Sequence, residues 1–244
     1  VDRLLELTQR AEATHFWFRG FRHFVRSLVS RAAAGRTDLR ILDCGCGTGY
    51  NLRWLGEYGR AVGMDLTHSG LVVAREAGES VVRGDAMHLP YTSGAFDLVA
   101  SFDVLPCIPD DRVAMAEMAR VLKPGGFFVA NMAALDVLYG DHSALSGEVR
   151  RYTPARLRAR LKDVGLEPIV IRFGFFSTFP ILLAVRLLQK VSRGKATPRE
   201  NEIAMPSVVV NAGLSAVVML EVAVSRVLPM PIGSSLRVLA RKPR

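Results

Sequence analysis

The sequence predicts an α/β fold: a doubly wound, mostly parallel, seven-stranded sheet with a helical insertion between its last two strands. Three observations carry this expectation. Apolar strand signals alternate with amphipathic helix signals from residue 39 onward. A glycine-rich turn, Asp43-Cys44-Gly45-Cys46-Gly47-Thr48-Gly49, follows the first strand, and an aspartate closes each of the first three strands. Alternation at this spacing makes βαβ units, whose right-handed crossovers set neighbouring strands parallel.

The elements follow in order. Residues 39–43 form a short apolar strand, 51–57 a helix, 60–65 a second strand and 68–77 a second helix. Strands are predicted at 80–83 and 96–101. A helix over 110–122 carries apolar residues at Val113, Ala116, Met118 and Val121, and Lys123-Pro124-Gly125-Gly126 stops it before a fifth strand at 127–130. Thr153-Pro154 opens a helix that runs to Val164, with Gly165 as its cap. The last two strands are read at 168–173 and 236–240. Between them, two apolar segments at 173–188 and 207–228 flank a polar connector at 192–202. Pro180 and Arg186 in the first segment, and Asn211, Glu221 and Arg226 in the second, set both at the margin of a spanning helix. Buried helices or a membrane-facing patch are expected instead. Ahead of the sheet, 14–34 reads as an amphipathic helix opening on His15-Phe16-Trp17-Phe18-Arg19. The chain is thus divided into a helical lid (1–37), a core (38–174), an apolar insertion (175–232) and a final core strand (233–244).

Half of the 244 residues are hydrophobic, ample for a packed core and incompatible with wholesale disorder. Lys and Arg number 32 against 23 Asp and Glu, a net charge of +9 that favours anionic partners. The cations are scattered, with no basic run of the kind that marks a nucleic-acid tail, so no nucleic-acid partner is expected. Of three cysteines, Cys44 and Cys46 are too close for an ordinary disulfide, and no second pair or histidine cluster completes a zinc site. Reduced thiols, no metal and a cytoplasmic location follow, with peripheral membrane contact through the insertion as a variant. The first ten residues carry no secretory signal pattern.

Glycines after a first strand let backbone approach a ligand without Cβ clashes. A dinucleotide fingerprint starting at Gly45 needs glycine at 50, which is Tyr50; the pattern here is Gly45-x-Gly47-x-Gly49. A carboxylate at Asp65 can accept ribose hydroxyls, and Asp85 is placed to meet an amino group such as that of adenine. Each also suits a turn or a helix cap. Together they point to a nucleoside at the carboxyl edge of the sheet.

Residues 42–49 (Leu-Asp-Cys-Gly-Cys-Gly-Thr-Gly), Gly63-Met64-Asp65, Gly84-Asp85-Ala86, Phe96-Asp97-Leu98-Val99 and Arg120-Val121-Leu122-Lys123-Pro124-Gly125-Gly126 resemble class I S-adenosylmethionine-dependent methyltransferases of the type 11 group. The resemblance covers roughly residues 38 to 173 and implies a Rossmann-like core with S-adenosyl-L-methionine as cofactor. It implies that Asp43 and the loop glycines Gly45, Gly47 and Gly49 hold the methionine part. Asp65 would take the ribose, with Leu66 as a further contact, Asp85 and Ala86 would meet the adenine, and Phe102 would lie near the sulfonium. One departure stands out: Leu105-Pro106-Cys107-Ile108-Pro109 replaces the Leu-Glu-His-Ile-Pro often found in the group, and Cys107 is read as a packing residue. The outer segments resemble a subset of bacterial type 11 enzymes.

Methyl transfer from a sulfonium is an in-line displacement that needs alignment, exclusion of water and, for some acceptors, a base. His142 is the first candidate base and Tyr152 the second, with His15 weaker. Arg19 is expected on the cofactor carboxylate or an anionic substrate. Arg150 and Arg151 are read as acceptor-binding charges, and Trp17, Tyr139 and Phe176 as acceptor contacts. Arg22 and Arg26 are assigned to a solvated helix face. Phe175, Phe176, Phe179, Leu182 and Leu183 suggest either an apolar acceptor pocket or a homodimer contact. The leading expectation is methylation of a small organic molecule in specialised metabolism; the alternatives are a membrane lipid, quinone or polyprenyl-linked sugar as acceptor, an NAD-dependent oxidoreductase, or a non-methylating binder.

Overall fold

The computed structural model describes residues 8–9, 11–193 and 206–244. Seven strands, β1 (Leu39–Cys44), β2 (Gly59–Asp65), β3 (Val81–Arg83), β4 (Phe96–Phe102), β5 (Leu122–Ala133), β6 (Glu167–Gly174) and β7 (Ser235–Arg241), form one sheet in the order β3-β2-β1-β4-β5-β7-β6. The first five are parallel; β7 runs antiparallel to both β5 and β6. The order reverses between β1 and β4, which places a crevice at the carboxyl ends of those strands. This is the doubly wound, mostly parallel sheet that the alternating pattern predicts.

The helices are α1 (Phe16–Ala33), α2 (Tyr50–Leu55), α3 (His68–Glu76), α4 (Asp111–Val121), α5 (Asp141–Leu145), α6 (Pro154–Asp163), α7 (Phe179–Arg193) and α8 (Val208–Val224). On one face of the sheet Met115 and Met118 of α4 and Leu157 and Leu161 of α6 pack against Val99, Phe128 and Val238. On the other, Phe21, Phe24, Val25, Leu28, Val29 and Ala32 of α1 recur at helical spacing and cover Ile41, Leu98, Val129 and Leu239. The segment expected as a lid therefore also forms one wall of the core. The His15 ring Nδ1 accepts the Trp17 N–H at 3.2 Å and caps α1.

Two boundaries differ from the sequence reading. Lys123-Pro124-Gly125-Gly126 does not separate α4 from β5 but lies inside the strand: Phe96 pairs with Leu122 and, after an irregularity, Leu98 with Phe127, while Lys123 Nζ donates to Asp97 at 2.8 Å. The helix expected through 57 ends at Leu55 and tightens into a single 3₁₀ turn, Gly56–Tyr58. The expected connector at 192–202 lies, from residue 194 on, outside the described residues.

The insertion is helical, and its polar residues point inward. Asn211 accepts from Phe16 N at 2.9 Å and donates to Thr14 O at 2.9 Å, which ties α8 to the start of α1. Glu221 is buried and accepts from the Phe176 and Ser177 amides at 2.8 and 2.9 Å and from Ser177 Oγ at 2.6 Å. No helix among the described residues is long and apolar enough to cross a membrane.

Candidate active site

The turn after β1 is shaped by three glycines with positive φ. A Cβ at Gly45 (φ +84°) would sit 2.1 Å from Val104 Cγ2, whereas around Gly47 (φ +52°) there is open space. Beneath this turn the Asp43 carboxylate is fully buried, and neither oxygen has a hydrogen-bond partner. Burial, and then the charge of Asp65, push its pKa up to about 7. A buried carboxylate left unpaired at the foot of an open glycine turn is complementary to a ligand that brings positive charge. On this observation the residues fit an adenosyl sulfonium carrying an ammonium group.

Along the same edge, Asp65 Oδ2 accepts from Gly47 N at 2.9 Å and Oδ1 from Thr67 N at 2.8 Å. Asp85 Oδ1 accepts from Met87 N at 2.9 Å. Both aspartates are thus turn residues, and each carboxylate oxygen keeps a second lone pair for a ligand hydroxyl or amino group. Leu66 is 63% exposed beside Asp65, and Ala86 is half-buried.

From Gly45, Cys46 and Gly47 a cavity of about 570 Å³ extends away from the sheet, between the N-terminal segment, the tips of β4 and β5, and α7. Its aromatic wall is a stack: Trp17 lies 5.4 Å from Phe21 at 4° and 5.5 Å from Phe175 at 10°, and Phe21 meets Phe102 edge-on at 5.3 Å. Its far wall is Ile181, Leu182 and Val185 of α7 with Leu214 of α8.

Polar groups enter at three points. Glu12 accepts the Thr48 hydroxyl at 2.7 Å, and burial raises its pKa; the Arg22 guanidinium donates to Glu12 O and sits 4.8 Å over the Tyr50 ring. Asp103 follows Phe102 with φ +59°, a conformation uncommon outside glycine, and both its carboxylate oxygens accept from Asn131 Nδ2 at 2.9 Å. Burial, and then the Glu148 charge opposing the Asn131 bonds, push Asp103 up to about 7. His142 lines the cavity near these groups, with Nε2 3.3 Å from Ser146 Oγ. Arg151 and Glu148 form a buried pair at 3.0 Å, and Arg151 also donates to Ala134 O and to Ser143 Oγ. Cys107 also lines the cavity, and burial pushes its thiol up to about 12, which leaves it a neutral contact.

The structure brings Trp17, Gly45, Gly47, Phe102, His142 and Arg151 to one cavity. It corrects six readings. Tyr152 is fully buried in the core and its hydroxyl donates to Asp111 Oδ2 at 2.7 Å, so it holds α4 and does not face the cavity. Arg150 points the other way from Arg151 and donates to Leu105 O, Ile108 O and Pro109 O, clamping the segment after β4. Arg19 is exposed on the outer side of α1, and Arg22, expected in solvent, lines the cavity instead. Tyr139 spends its hydroxyl on Glu148 O at 3.1 Å. Phe176 is 39% exposed, and its neighbour Phe175 joins the aromatic stack. Glu12, Arg22, Asp103 and Glu148 were missed as site residues; only Asp103, directly after a strand that ends at the crevice, carried a positional signal. Among the described residues no cluster of His, Cys, Asp and Glu is disposed to hold a metal ion.

A family model for a methyltransferase domain matches residues 42–130. Demethylmenaquinone methyltransferase of Staphylococcus aureus (strain MRSA252) is 37% identical over 116 residues, which is 43% of this chain and 47% of that protein. The chain thus spans about half the length of the curated relatives it matches. Phosphoethanolamine N-methyltransferase 2 of Haemonchus contortus, solved in complex with S-adenosyl-L-methionine, superposes with a TM-score of 0.66 at 19% identity, covering 100% of this chain and 58% of that one. The cyclase SpnF superposes with a TM-score of 0.57 at 23% identity, covering 89% and 79%. These structural likenesses establish the fold.

Proposed function

We propose that this chain, whose residues 42–130 are a methyltransferase domain of the class I, S-adenosylmethionine-dependent type 11 group, methylates an organic acceptor with an apolar body. S-adenosyl-L-methionine is the cofactor of that group, and when bound it supplies an electrophilic methyl for in-line displacement. The observation that carries the reading is the unpaired, buried Asp43 under a glycine turn that opens directly into the aromatic cavity.

The chain's own residues have four tasks. Asp43 and the turn at Gly45–Gly47 receive the cationic, methionine end; Asp65 and Leu66 flank the ribose, and Asp85 and Ala86 the adenine. The stack of Trp17, Phe21 and Phe175, with Phe102 at its edge, excludes water from the transfer path. Arg22 supplies positive charge for a polar or anionic head on the acceptor, and the buried Arg151–Glu148 pair forms a polar patch of the cavity wall. Asp103, which burial has raised to about 7, is the group able to take a proton from the acceptor nucleophile near neutral pH, and His142 lines the same cavity as the second candidate base. Proximity supplies much of the remaining acceleration.

Two acceptor classes remain: a small metabolite, or a quinone or other lipid with an apolar tail. The apolar α7 wall of the cavity and the demethylmenaquinone methyltransferase relative favour the second. Calorimetry with S-adenosylmethionine and its demethylated product tests the cofactor reading. Binding by the parent and its loss in Asp65→Ala are expected; no heat from either ligand would end it. Labelled methyl transfer into the lipid and aqueous fractions of a cell extract then separates the acceptor classes.

A further inference from the structure

The two insertion helices are patterned inside out. Every exposed position of α8 is Val, Ala, Gly or Leu, with Val209 83% and Leu220 66% exposed, while Ser215 and Glu221 are buried. On α7, Ile181, Val185 and Leu187 are exposed and Arg186 is buried. A helix on the surface of a water-soluble domain shows the reverse order, and an apolar face of this extent in water marks a contact surface. Polar residues turned inward and apolar residues turned outward are the arrangement that an apolar solvent selects.

We propose that the exposed faces of α7 and α8 rest in one leaflet of an anionic lipid bilayer. One observation sets how the helices lie, and two choose this occupant over a second copy of the chain. Seventeen residues make α8 about 25 Å long, and no helix among the described residues can cross a membrane, so the helices lie along the leaflet. Beside these helices Arg226, which follows α8, and Arg19 of α1 are exposed and lie close enough to act on His23, within a chain of net charge +9. These cations complement lipid phosphates and would repel one another across a symmetric pairing of two copies. Finally, Ile181 and Val185 are exposed and also line the cavity, so the apolar surface is continuous with the site. An acceptor with an apolar tail can then move from leaflet to site without crossing water. That route rests on the methyl-transfer reading above; the surface itself does not.

The test is co-sedimentation of the full chain with vesicles of phosphatidylcholine containing one quarter phosphatidylglycerol, at low and high salt. The parent is expected in the pellet, more so at low salt. Leu220→Glu and, separately, Val209→Glu should each lower vesicle partitioning about tenfold or more. Calorimetric binding of S-adenosylmethionine, unchanged in these variants, shows that they are folded; absence of that heat in parent and variants alike would sink the cofactor reading and leave the vesicle result standing. A parent that stays in the supernatant at both salt concentrations overturns the inference, as do two variants that pellet like the parent. Sedimentation velocity without lipid gives the third refutation: a parent dimer that Leu220→Glu dissociates would assign the face to a second copy.

Discussion

Replacing Asp43 by asparagine should make the ligand-free protein more stable at pH 8 and a poorer binder of S-adenosylmethionine. The folded carboxyl titrates at about 7, against 3.8 for the ordinary group. Below pH 4 both folded and unfolded chains hold the proton and the penalty is absent. It grows as pH rises, because the unfolded chain releases its proton first, and is complete above pH 7 at on the order of 4 kcal/mol. Asparagine removes that term but leaves a buried amide without partners, which costs about 1–3 kcal/mol. The net at pH 8 is a gain of roughly 2 kcal/mol, or about 4–8 °C in Tm for a chain of this size. At pH 4 the gain vanishes and the order of the two proteins reverses. Binding moves the other way: the parent should bind the cationic cofactor more tightly as pH rises through 7, and the variant should show no such slope. Thermal melts at both pH values, with and without cofactor, read all of this. A D43N protein that is less stable than the parent at pH 8, or that binds with the parent's affinity and pH dependence, would refute the reasoning.

Three further outcomes are expected. Asp103→Asn should remove a limb near pH 7 from the kcat profile, since Asp103 can accept a proton only when ionised above that value; a profile like the parent's would exclude it as the base. Tyr152→Phe should cost about 1–2 kcal/mol in a denaturant melt by leaving Asp111 with only Arg160 at 3.2 Å, while cofactor affinity stays unchanged. Gly45→Ala should abolish cofactor binding, because a Cβ there meets Val104 at 2.1 Å in a backbone conformation with φ +84°; calorimetry checks it, with circular dichroism as the folding control.

The sheet was legible because each strand is short, apolar and bounded by a turn signal, and because parallel strands buried on both faces leave little choice of pattern. The cofactor edge was legible for a related reason: glycine and aspartate at strand ends have few other uses. The acceptor side was not. Arg150-Arg151-Tyr152 reads as three polar groups in a loop, yet an extended backbone sends them alternately to the β4 segment, the cavity and the core. A one-residue difference likewise separates Phe175 in the stack from Phe176 at the surface, at a turn where Phe175 has φ +61° and Glu221 accepts from the Phe176 amide. Arg22 shares an amphipathic helix with Arg19 and Arg26, and its place over Tyr50 depends on where α1 crosses the sheet, which no local pattern encodes.

The strand order also sets a sequence of events in time. β7 lies between β5 and β6, pairing with Phe127–Ala133 on one side and Glu167–Gly174 on the other. During synthesis the fifth strand therefore waits with an open edge, and the sixth has no neighbour at all, until the ribosome has released residues 235–241. Both greasy helices emerge before that closing strand does. A nascent chain is consequently at its stickiest until that strand emerges, and a membrane or chaperone close to the exit tunnel meets those helices before the sheet is closed.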